Sequence, residues 1–247
     1  MITKFNASQS LQITMDTRGT AKPATSVSWN EAARFVNWLN TSTGGFAAYN
    51  FTTGGVNDNI AVWTAADTAD YDATNPYRSK RATYVLPSYN EWYKAAYYNP
   101  TNSTYYDYAN GSDTAPTAVA SGTTAGTAVY DGQSGPADVN LAGGLSPYGV
   151  MGLGGNVFEW EESSGDLANS SGSSNRGIRG GFWNDNSYSL SSSARLNFFL
   201  PSFKNYSFGF RVASLPSSAA AVPEPSMMVI GTLFGLGGLM AKRRMKK

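Results

Sequence analysis

A helix-start signal followed by an apolar stripe occurs at two places in this sequence, and this limits the regular structure that the chain can form. Ser28 begins a Ser-x-x-Glu capping box, in which the serine hydroxyl and the glutamate carboxylate each accept a hydrogen bond from the other residue's amide. Apolar residues then recur at helical spacing, which predicts a helix over 29–40. Ser88 begins a second capping box, and its helix must end before Pro100.

The rest of the sequence indicates short strands and long loops. We predict strands at 84–86, 157–161, 177–182 and 209–213. The glycine pairs 154–155 and 180–181 allow tight turns.

Two segments rich in small residues separate these elements. The segment 110–144 is either a disordered linker or an ordered surface loop held by Val129 and Tyr130. The segment 163–175 is expected to be an exposed loop. Neither segment interrupts what we predict to be one globular domain over 22–213, which is long enough to bury a core.

The last 26 residues differ from the rest of the chain. Residues 222–247 consist of a Pro-Glu-Pro signature, an apolar run at 227–241 and a basic end. In this order they resemble the PEP-CTERM sorting tail of bacterial proteins, which an exosortase, an envelope processing enzyme, handles. The resemblance implies an exported protein that is held transiently in the inner membrane and then reaches the cell surface or the extracellular space.

The apolar run at 227–241 also has a simpler interpretation, as a buried core helix. As a helix it would measure roughly 22 Å, against about 30 Å for a bilayer core. Five cations in the last six residues favour an anchor on the cytoplasmic side. The sorting tail is therefore our prediction, with residues 214–221 as its linker.

The amino terminus lacks the pattern of a signal peptide. Residues 1–21 contain no charged start followed by an apolar core. Because an exported protein needs such a signal, either its export is unusual or the sequence begins inside a longer chain, and we expect the second. Residues 1–21 would then be the remnant of a truncated domain start.

The charge balance excludes one class of partner. Without the five cations and one anion of 222–247, the chain carries 13 cations and 16 anions, a net charge of −3. With no basic stripe, the domain has no electrostatic footprint for nucleic acid. The absence of cysteine also excludes stabilisation by disulfides.

Four segments and a closing motif together resemble one family. They are VSWNEAARFVNWL at 27–39, LPSYNEW at 86–92, GGNVFEW at 154–160 and RGGFW at 179–183, closed by GFRV at 209–212. Their identity and order are similar to the formylglycine-generating enzyme (sulfatase-modifying factor) family over about 22–213. The resemblance implies an α+β fold, a loop-rich variant of the C-type-lectin fold with few helices and short antiparallel strands. It also makes Arg195 and Arg211 candidates for internal ion pairs.

The oxidative chemistry of this family does not transfer to the sequence. Members that make formylglycine hold copper with two cysteines, and the matching positions are Ser187 and Ser192. Cuprous copper prefers a soft thiolate to a hard, poorly ionised hydroxyl, so copper is not expected. The related iron-dependent branch needs histidine ligands, and the chain has no histidine. A histidine-based catalytic triad is excluded for the same reason.

The remaining candidates for chemistry are carboxylates. Strand alternation would place Glu159 and Glu161 on one face of a strand and Glu162 on the other. The carboxylates Glu159, Glu161 and Glu162 are therefore the candidates for an acid–base pair. The resemblance implies a different use for Glu159, as ligand of a structural calcium ion together with the backbone carbonyls near Gly155 and Val157.

One residue of the sequence argues against tight calcium binding. Gly152 stands where the family usually has Asn or Asp, which removes one oxygen and lowers the expected affinity. The alternative is that Glu159 only caps the turn.

The segment 183–208 is dense in Asn, Ser, Tyr and Phe, residues that form adaptable contact surfaces. It resembles the ligand-facing region of the lectin-like domains of diversity-generating binding proteins. The residues expected to contact a ligand are Trp183, Asn184, Tyr188, Arg195 and Asn197. For Phe198 and Phe199 the alternative is a place in the core.

Three functions are compatible with these patterns. The leading hypothesis is a non-catalytic domain on the cell surface that binds an extracellular polysaccharide or a protein. The second is an enzyme with a new activity at the ancestral groove, using Ser187, Ser192, Tyr188 and Arg195. The third is a structural protein of the extracellular matrix, which would self-associate.

Overall fold

The computed structural model describes residues 2–5, 11–13 and 18–215. The predicted sorting tail at 222–247, most of its linker and part of the segment 1–21 lie outside the described residues. Among the described residues, the helices are too short or too polar to cross a bilayer.

Two α-helices form at the two predicted positions. Helix α1 spans Trp29–Ser42 and helix α2 spans Tyr89–Tyr97, and each begins with the complete capping box. Helix α1 continues two residues past its predicted end. The extra turn is supported by hydroxyls that donate to main-chain carbonyls, such as that of Thr41 to the Asn37 carbonyl at 2.9 Å.

The strands are short and numerous. They are β1 (Ile2–Phe5), β2 (Leu11–Ile13), β3 (Tyr84–Val85), β4 (Tyr98–Asn99), β5 (Thr104–Tyr105), β6 (Thr117–Ala118), β7 (Thr127–Ala128), β8 (Phe158–Ser164), β9 (Arg176–Arg179), β10 (Leu196–Phe199), β11 (Phe208–Gly209) and β12 (Ala213–Ser214). A single 3₁₀ turn over Ser187–Leu190 separates β9 from β10 within the described chain.

One four-stranded sheet forms the centre of the fold, in the order β10-β9-β8-β11. Strand β8 pairs antiparallel with β9 and parallel with β11, and β10 forms one edge. The other described strands pair two by two, and of these pairs β6 and β7 are parallel. The α+β, loop-rich architecture is as predicted, but the pairing is not purely antiparallel.

Three of the predicted strands differ from the structure by more than one residue, whereas β3 only ends one residue before the predicted 84–86. Strand β8 runs to Ser164, so the predicted loop 163–175 begins inside a strand, and its residues Ser163, Ser164 and Asn169 are buried. The prediction of an exposed loop was wrong there because the Ser164 amide and hydroxyl both bond to the Asn169 side chain.

The other two differences arise at turns and at a change of partner. The predicted strand 177–182 ends at Arg179 because Gly180 and Gly181 turn with positive φ. The predicted strand 209–213 divides into β11, which pairs with β8, and β12, which pairs with β3.

The segment 110–144 is an ordered loop rather than a linker. It contains β6 and β7, and both Val129 and Tyr130 are buried. The interpretation in which these two side chains hold the loop is confirmed.

Tryptophan indoles connect the start of α1 to the central strand. The Trp29 Nε1–H donates to the Glu161 carbonyl at 2.9 Å, and the Trp160 Nε1–H donates to the Val27 carbonyl at 2.8 Å. Both rings are fully buried in the main hydrophobic core. Since each indole also satisfies a buried carbonyl, the core fixes the position of β8 against α1.

Gly155 is required by a close backbone contact. Its φ is +75°, and a Cβ atom at this position would lie 2.2 Å from the Val129 carbonyl oxygen. Gly149 has the same φ of +75°, but a Cβ there would meet no atom within 4 Å. The two glycines therefore separate the cost of the left-handed backbone from the cost of the contact.

We expect Gly155→Ala to destabilise the fold more than Gly149→Ala. Both substitutions incur the left-handed penalty of roughly 1–2 kcal/mol. Only Gly155→Ala must also displace the Val129 backbone, which should add about 2 kcal/mol or more to the loss of unfolding free energy. Urea denaturation of the two variants measures the difference, and equal losses would contradict the role of the contact.

Candidate functional site

The central strand β8 carries three glutamates into the interior of the protein. Glu159 is 4% exposed, and Glu161 and Glu162 are 0% exposed. Burial of an ionised carboxylate costs roughly several kcal/mol of lost hydration. A cation at hydrogen-bonding distance can offset that cost. Each of the three has such a partner, and each partner is an arginine.

Glu162 is the centre of the first cluster. It accepts hydrogen bonds from the Arg78 guanidinium, with Nη2 at 2.6 Å, and from the Tyr49 hydroxyl at 2.9 Å. Arg78 also pairs with Glu91 at 2.8 Å, which links β8 to the capping residue of α2.

The titration behaviour of this cluster follows from burial and charge. Burial opposes the charge on Arg78, but Glu162 and Glu91 outweigh it and raise the arginine pKa above its ordinary value. Burial, and then the charge of Glu162, raise the pKa of Tyr49 well above its ordinary value. For Glu91 burial acts upward, yet the hydrogen bonds from Arg78 hold the pKa of the carboxyl below its ordinary value. At neutral pH these pKa shifts favour a charged Arg78, a charged Glu91 and a neutral Tyr49 hydroxyl.

Glu161 is shared by two arginines. The Nε atoms of Arg179 and Arg195 each donate to one of its oxygens at 2.8 Å. Two guanidinium groups facing one carboxylate leave a formal surplus of one positive charge. Arg179 also donates to the carbonyls of Ser192 and Ala194, which holds the chain that precedes β10.

Glu159 is paired with Arg211 and Trp92. The Arg211 guanidinium donates to both carboxylate oxygens, and the Trp92 Nε1–H donates at 2.8 Å. Arg211 also contacts the carbonyls of Met151 and Gly152, at 3.2 and 3.3 Å. The predicted internal ion pairs of Arg195 and Arg211 are confirmed.

The surroundings of Glu159 do not fit the calcium site implied by Gly155, Val157 and Glu159. Both Glu159 oxygens already bind a cation, the Arg211 guanidinium, which would repel a divalent ion at short range. The described residues also contain no cluster of three acidic side chains that could hold a metal.

A small cavity opens beside the Glu161 cluster, between the 3₁₀ turn and the end of β9. Its volume is about 120 Å³. The polar and charged side chains that line it are Arg179, Arg195, Tyr188, Ser189 and Ser193. We call it the β9–β10 cavity.

The predicted ligand-contacting residues divide into two groups. Tyr188, 70% exposed, and Arg195 line the β9–β10 cavity. Asn197 is exposed and its Nδ2 donates to the Gly165 carbonyl at 3.1 Å, the same carbonyl that accepts from Arg195. These three predicted residues therefore lie close together.

Trp183 and Asn184 do not line this cavity. Trp183 is only 8% exposed and packs against buried Val129, with its ring 5.7 Å from that of Tyr206. Its predicted role as an exposed contact does not agree with this burial, because segment 129–137 covers the indole. Asn184 is exposed but lies near Gly132.

The two serines at the family cysteine positions lie at the start of the 3₁₀ turn and shortly after its end. Ser187 is its first residue, and Ser192 follows it, with its amide bonded to the Asp107 carbonyl at 2.8 Å. Both are half-buried, and neither lines the β9–β10 cavity. The structure therefore does not join them to Tyr188 and Arg195 in one groove.

Sequence reasoning missed part of this surface. Phe198 is 60% exposed, so the alternative that it belongs to the core was wrong, whereas Phe199 packs on buried Phe208 at 4.8 Å. Arg179 was interpreted only as part of a turn motif. No pattern in the sequence identified it, because the need for a cation beside Glu161 appears only once β8 is known to be buried.

Comparison with known proteins agrees with the fold. Residues 4–215 match the family described as "Sulfatase-modifying factor enzyme 1-like domain". No curated protein shows significant sequence similarity to the chain.

Two solved structures are similar in three dimensions. Treponema denticola variable protein 1 has a TM-score of 0.54 and 23% identity, over 79% of this chain and 72% of that one. CarF has a TM-score of 0.53 and 22% identity, over 81% and 71% of the two chains. Identities this low show the common fold alone.

The pairing of Glu159 with Arg211 predicts a specific pattern of stabilities. Arg211→Met should cost about 3–5 kcal/mol of unfolding free energy, because it leaves Glu159 buried without a cation. Adding Glu159→Gln should recover part of that loss, since the amide is neutral and can still accept from Trp92.

Urea denaturation of the two single variants and the double variant tests this pattern. The control is Lys22→Met, which breaks the ion pair with Asp138, whose two side chains are both partly exposed, and should cost less than about 1 kcal/mol. A double variant less stable than Arg211→Met alone would contradict the account.

Proposed function

This chain belongs to the sulfatase-modifying factor enzyme 1-like family, and we propose that it is an exported, non-catalytic member that binds a ligand at the cell surface. The ligand-facing surface is the exposed part of segment 183–208 around the β9–β10 cavity. The ligand is a glycan that carries an acidic group.

The proposal depends mainly on one observation: each of the three interior carboxylates forms an ion pair with an arginine. A general acid or base must be free to exchange a proton with a substrate. Glu159, Glu161 and Glu162 instead accept from Arg211, Arg179 and Arg78, and lie buried. The candidate acid–base pair on β8 is therefore better explained as a structural element.

The residues at the family cysteine positions support the same view. Ser187 and Ser192 supply hydroxyls in place of the thiolates that cuprous copper prefers. The sequence as given contains neither cysteine nor histidine, so it lacks the donor sets of both oxidative branches. The scaffold is retained without the ligands for that chemistry.

The charge and exposure of the β9–β10 cavity support the class of ligand. Arg179 and Arg195 share a single carboxylate, which leaves one positive charge beside Ser189 and Ser193. A carboxylate or sulfate group of a glycan would complement this charge, and the hydroxyls could donate to it. Tyr188 and Asn197 at the rim offer aromatic area and an adaptable amide.

The tail supports the proposed location. The Pro-Glu-Pro signature, the apolar run at 227–241 and the basic end resemble a PEP-CTERM signal. On this basis the processing partner is an exosortase-type enzyme, and membrane attachment through 227–241 precedes release to the surface.

The test is binding of the purified full-length chain to oligogalacturonates and to sulfated oligosaccharides, measured by calorimetry. We expect Tyr188→Ala to weaken binding by about tenfold or more, because it removes the exposed ring at the rim. The control is Tyr105→Ala, an exposed tyrosine (48%) outside the cavity, which should bind like the parent chain.

Other outcomes would assign one of the competing functions. Binding to envelope proteins but not to acidic glycans would replace the glycan with a protein ligand. Turnover of a substrate that is lost in Ser192→Ala would overturn the non-catalytic proposal. Self-association at low concentration with no ligand binding would favour a matrix protein.

A further inference from the structure

A second concave surface lies between helix α1 and the loop 47–63. Its volume is about 430 Å³, within the range of about 300–1,000 Å³ typical of small-ligand sites. Its helix side is formed by Arg34, Asn37, Trp38 and Thr41. We call it the α1 groove.

The α1 groove presents aromatic rings rather than aliphatic side chains. Trp38 is 42% exposed, and Phe51 and Trp63 are half-buried. The described lining contains no Leu, Ile, Val or Met. This composition differs from that of the hydrophobic grooves that accept the apolar face of an amphipathic helix.

The rings are held in place by contacts that do not involve a ligand. The Trp63 Nε1–H donates to the Ala48 carbonyl at 3.1 Å, which fixes the indole. The Arg34 guanidinium lies 3.8 Å from the centre of the Phe51 ring. Trp38 packs against Phe35, with ring centres 5.6 Å apart, so its exposed face is turned outward on a rigid support.

The loop opposite the helix is equally well fixed. The Asn37 amide bonds to both the carbonyl and the amide of Tyr49, at 2.7 and 2.8 Å. Arg34 donates to the carbonyls of Thr53 and Gly55, at 3.2 and 2.6 Å. A groove with fixed walls loses little conformational entropy when a ligand enters it.

The remaining polar groups are neutral. Asn50 and Thr52 line the groove with an amide and a hydroxyl, and Thr41 adds a second hydroxyl at the helix end. Arg34 is the only residue with a permanent charge in the lining, and it is engaged with backbone carbonyls and with Phe51. The negative charge of Asp58 acts on Arg34 and offsets its positive charge, so the groove has no formal surplus of charge for an ionic ligand.

We propose that the α1 groove binds a neutral carbohydrate chain. A sugar ring has an apolar face of C–H groups and an edge of hydroxyls. The electron-rich face of an indole attracts the C–H groups, while amide and hydroxyl side chains exchange hydrogen bonds with the edge. Trp38 is the stacking platform, and Asn50 and Thr52 contact the hydroxyls.

This site is separate from the β9–β10 cavity and takes a different ligand. The β9–β10 cavity bears a surplus positive charge, whereas the α1 groove is aromatic and its one lining cation, Arg34, is offset by Asp58. The two binding events can therefore be measured independently, and failure of one leaves the other unaffected.

The experiment titrates the purified full-length chain with cellohexaose, laminarihexaose and xylohexaose, by calorimetry and by tryptophan fluorescence. We expect at least one of these neutral hexasaccharides to bind and to change the fluorescence. Trp38→Ala should weaken that binding by about tenfold or more, and Asn50→Ala by about threefold. Trp38→Tyr, which keeps a ring, should give an intermediate loss and shows that the effect is not one of unfolding.

Two control variants complete the design. Tyr148→Ala removes a tyrosine of similar exposure (47%) outside the groove and should leave the affinity unchanged. Tyr188→Ala should also have no effect on the neutral sugars. The inference is overturned if none of the three sugars binds at millimolar concentration, if Trp38→Ala binds like the parent chain, or if the loss occurs with Tyr188→Ala instead.

Discussion

Three ionised side chains on one buried strand are the constraint on which this fold depends. Strand β8 can lie in the interior only if a cation reaches each of its glutamates. Four arginines from different parts of the chain supply these cations: Arg78, Arg179, Arg195 and Arg211. Each ion pair therefore ties a separate segment to the centre of the sheet, and loops with little regular structure acquire fixed positions.

The same ion pairs hold the interior of the domain together. The carboxylates that could serve an acid–base reaction are used to hold the structure together. The accessible side chains include Tyr188 in the β9–β10 cavity, Asn197 beside it and Trp38 in the α1 groove. A family scaffold without its redox ligands is thus well suited to present surfaces, and the proposed function uses that property.

The sequence predicted the features that depend on local interactions. Both helices begin at the predicted serines, Ser28 and Ser88, because a capping box is completed within four residues. Tyr188 and Asn197 were placed correctly on the surface.

The failures involve distant partners: Trp183 is covered by a loop some fifty residues earlier in the sequence, and β8 continues to Ser164 because Asn169 completes its hydrogen bonds. Hydrophobic periodicity could not reveal these, since a strand containing three glutamates does not read as buried.

The central claim is that the scaffold has been kept for binding without its oxidative chemistry. The most direct test incubates the purified full-length chain with copper, oxygen and a panel of cysteine-containing peptides, traps aldehydes with a hydrazine probe and detects them by mass spectrometry. A competent formylglycine-generating enzyme serves as the positive control. The account predicts no aldehyde above the level seen without protein, and copper-dependent aldehyde formation by this chain would contradict it.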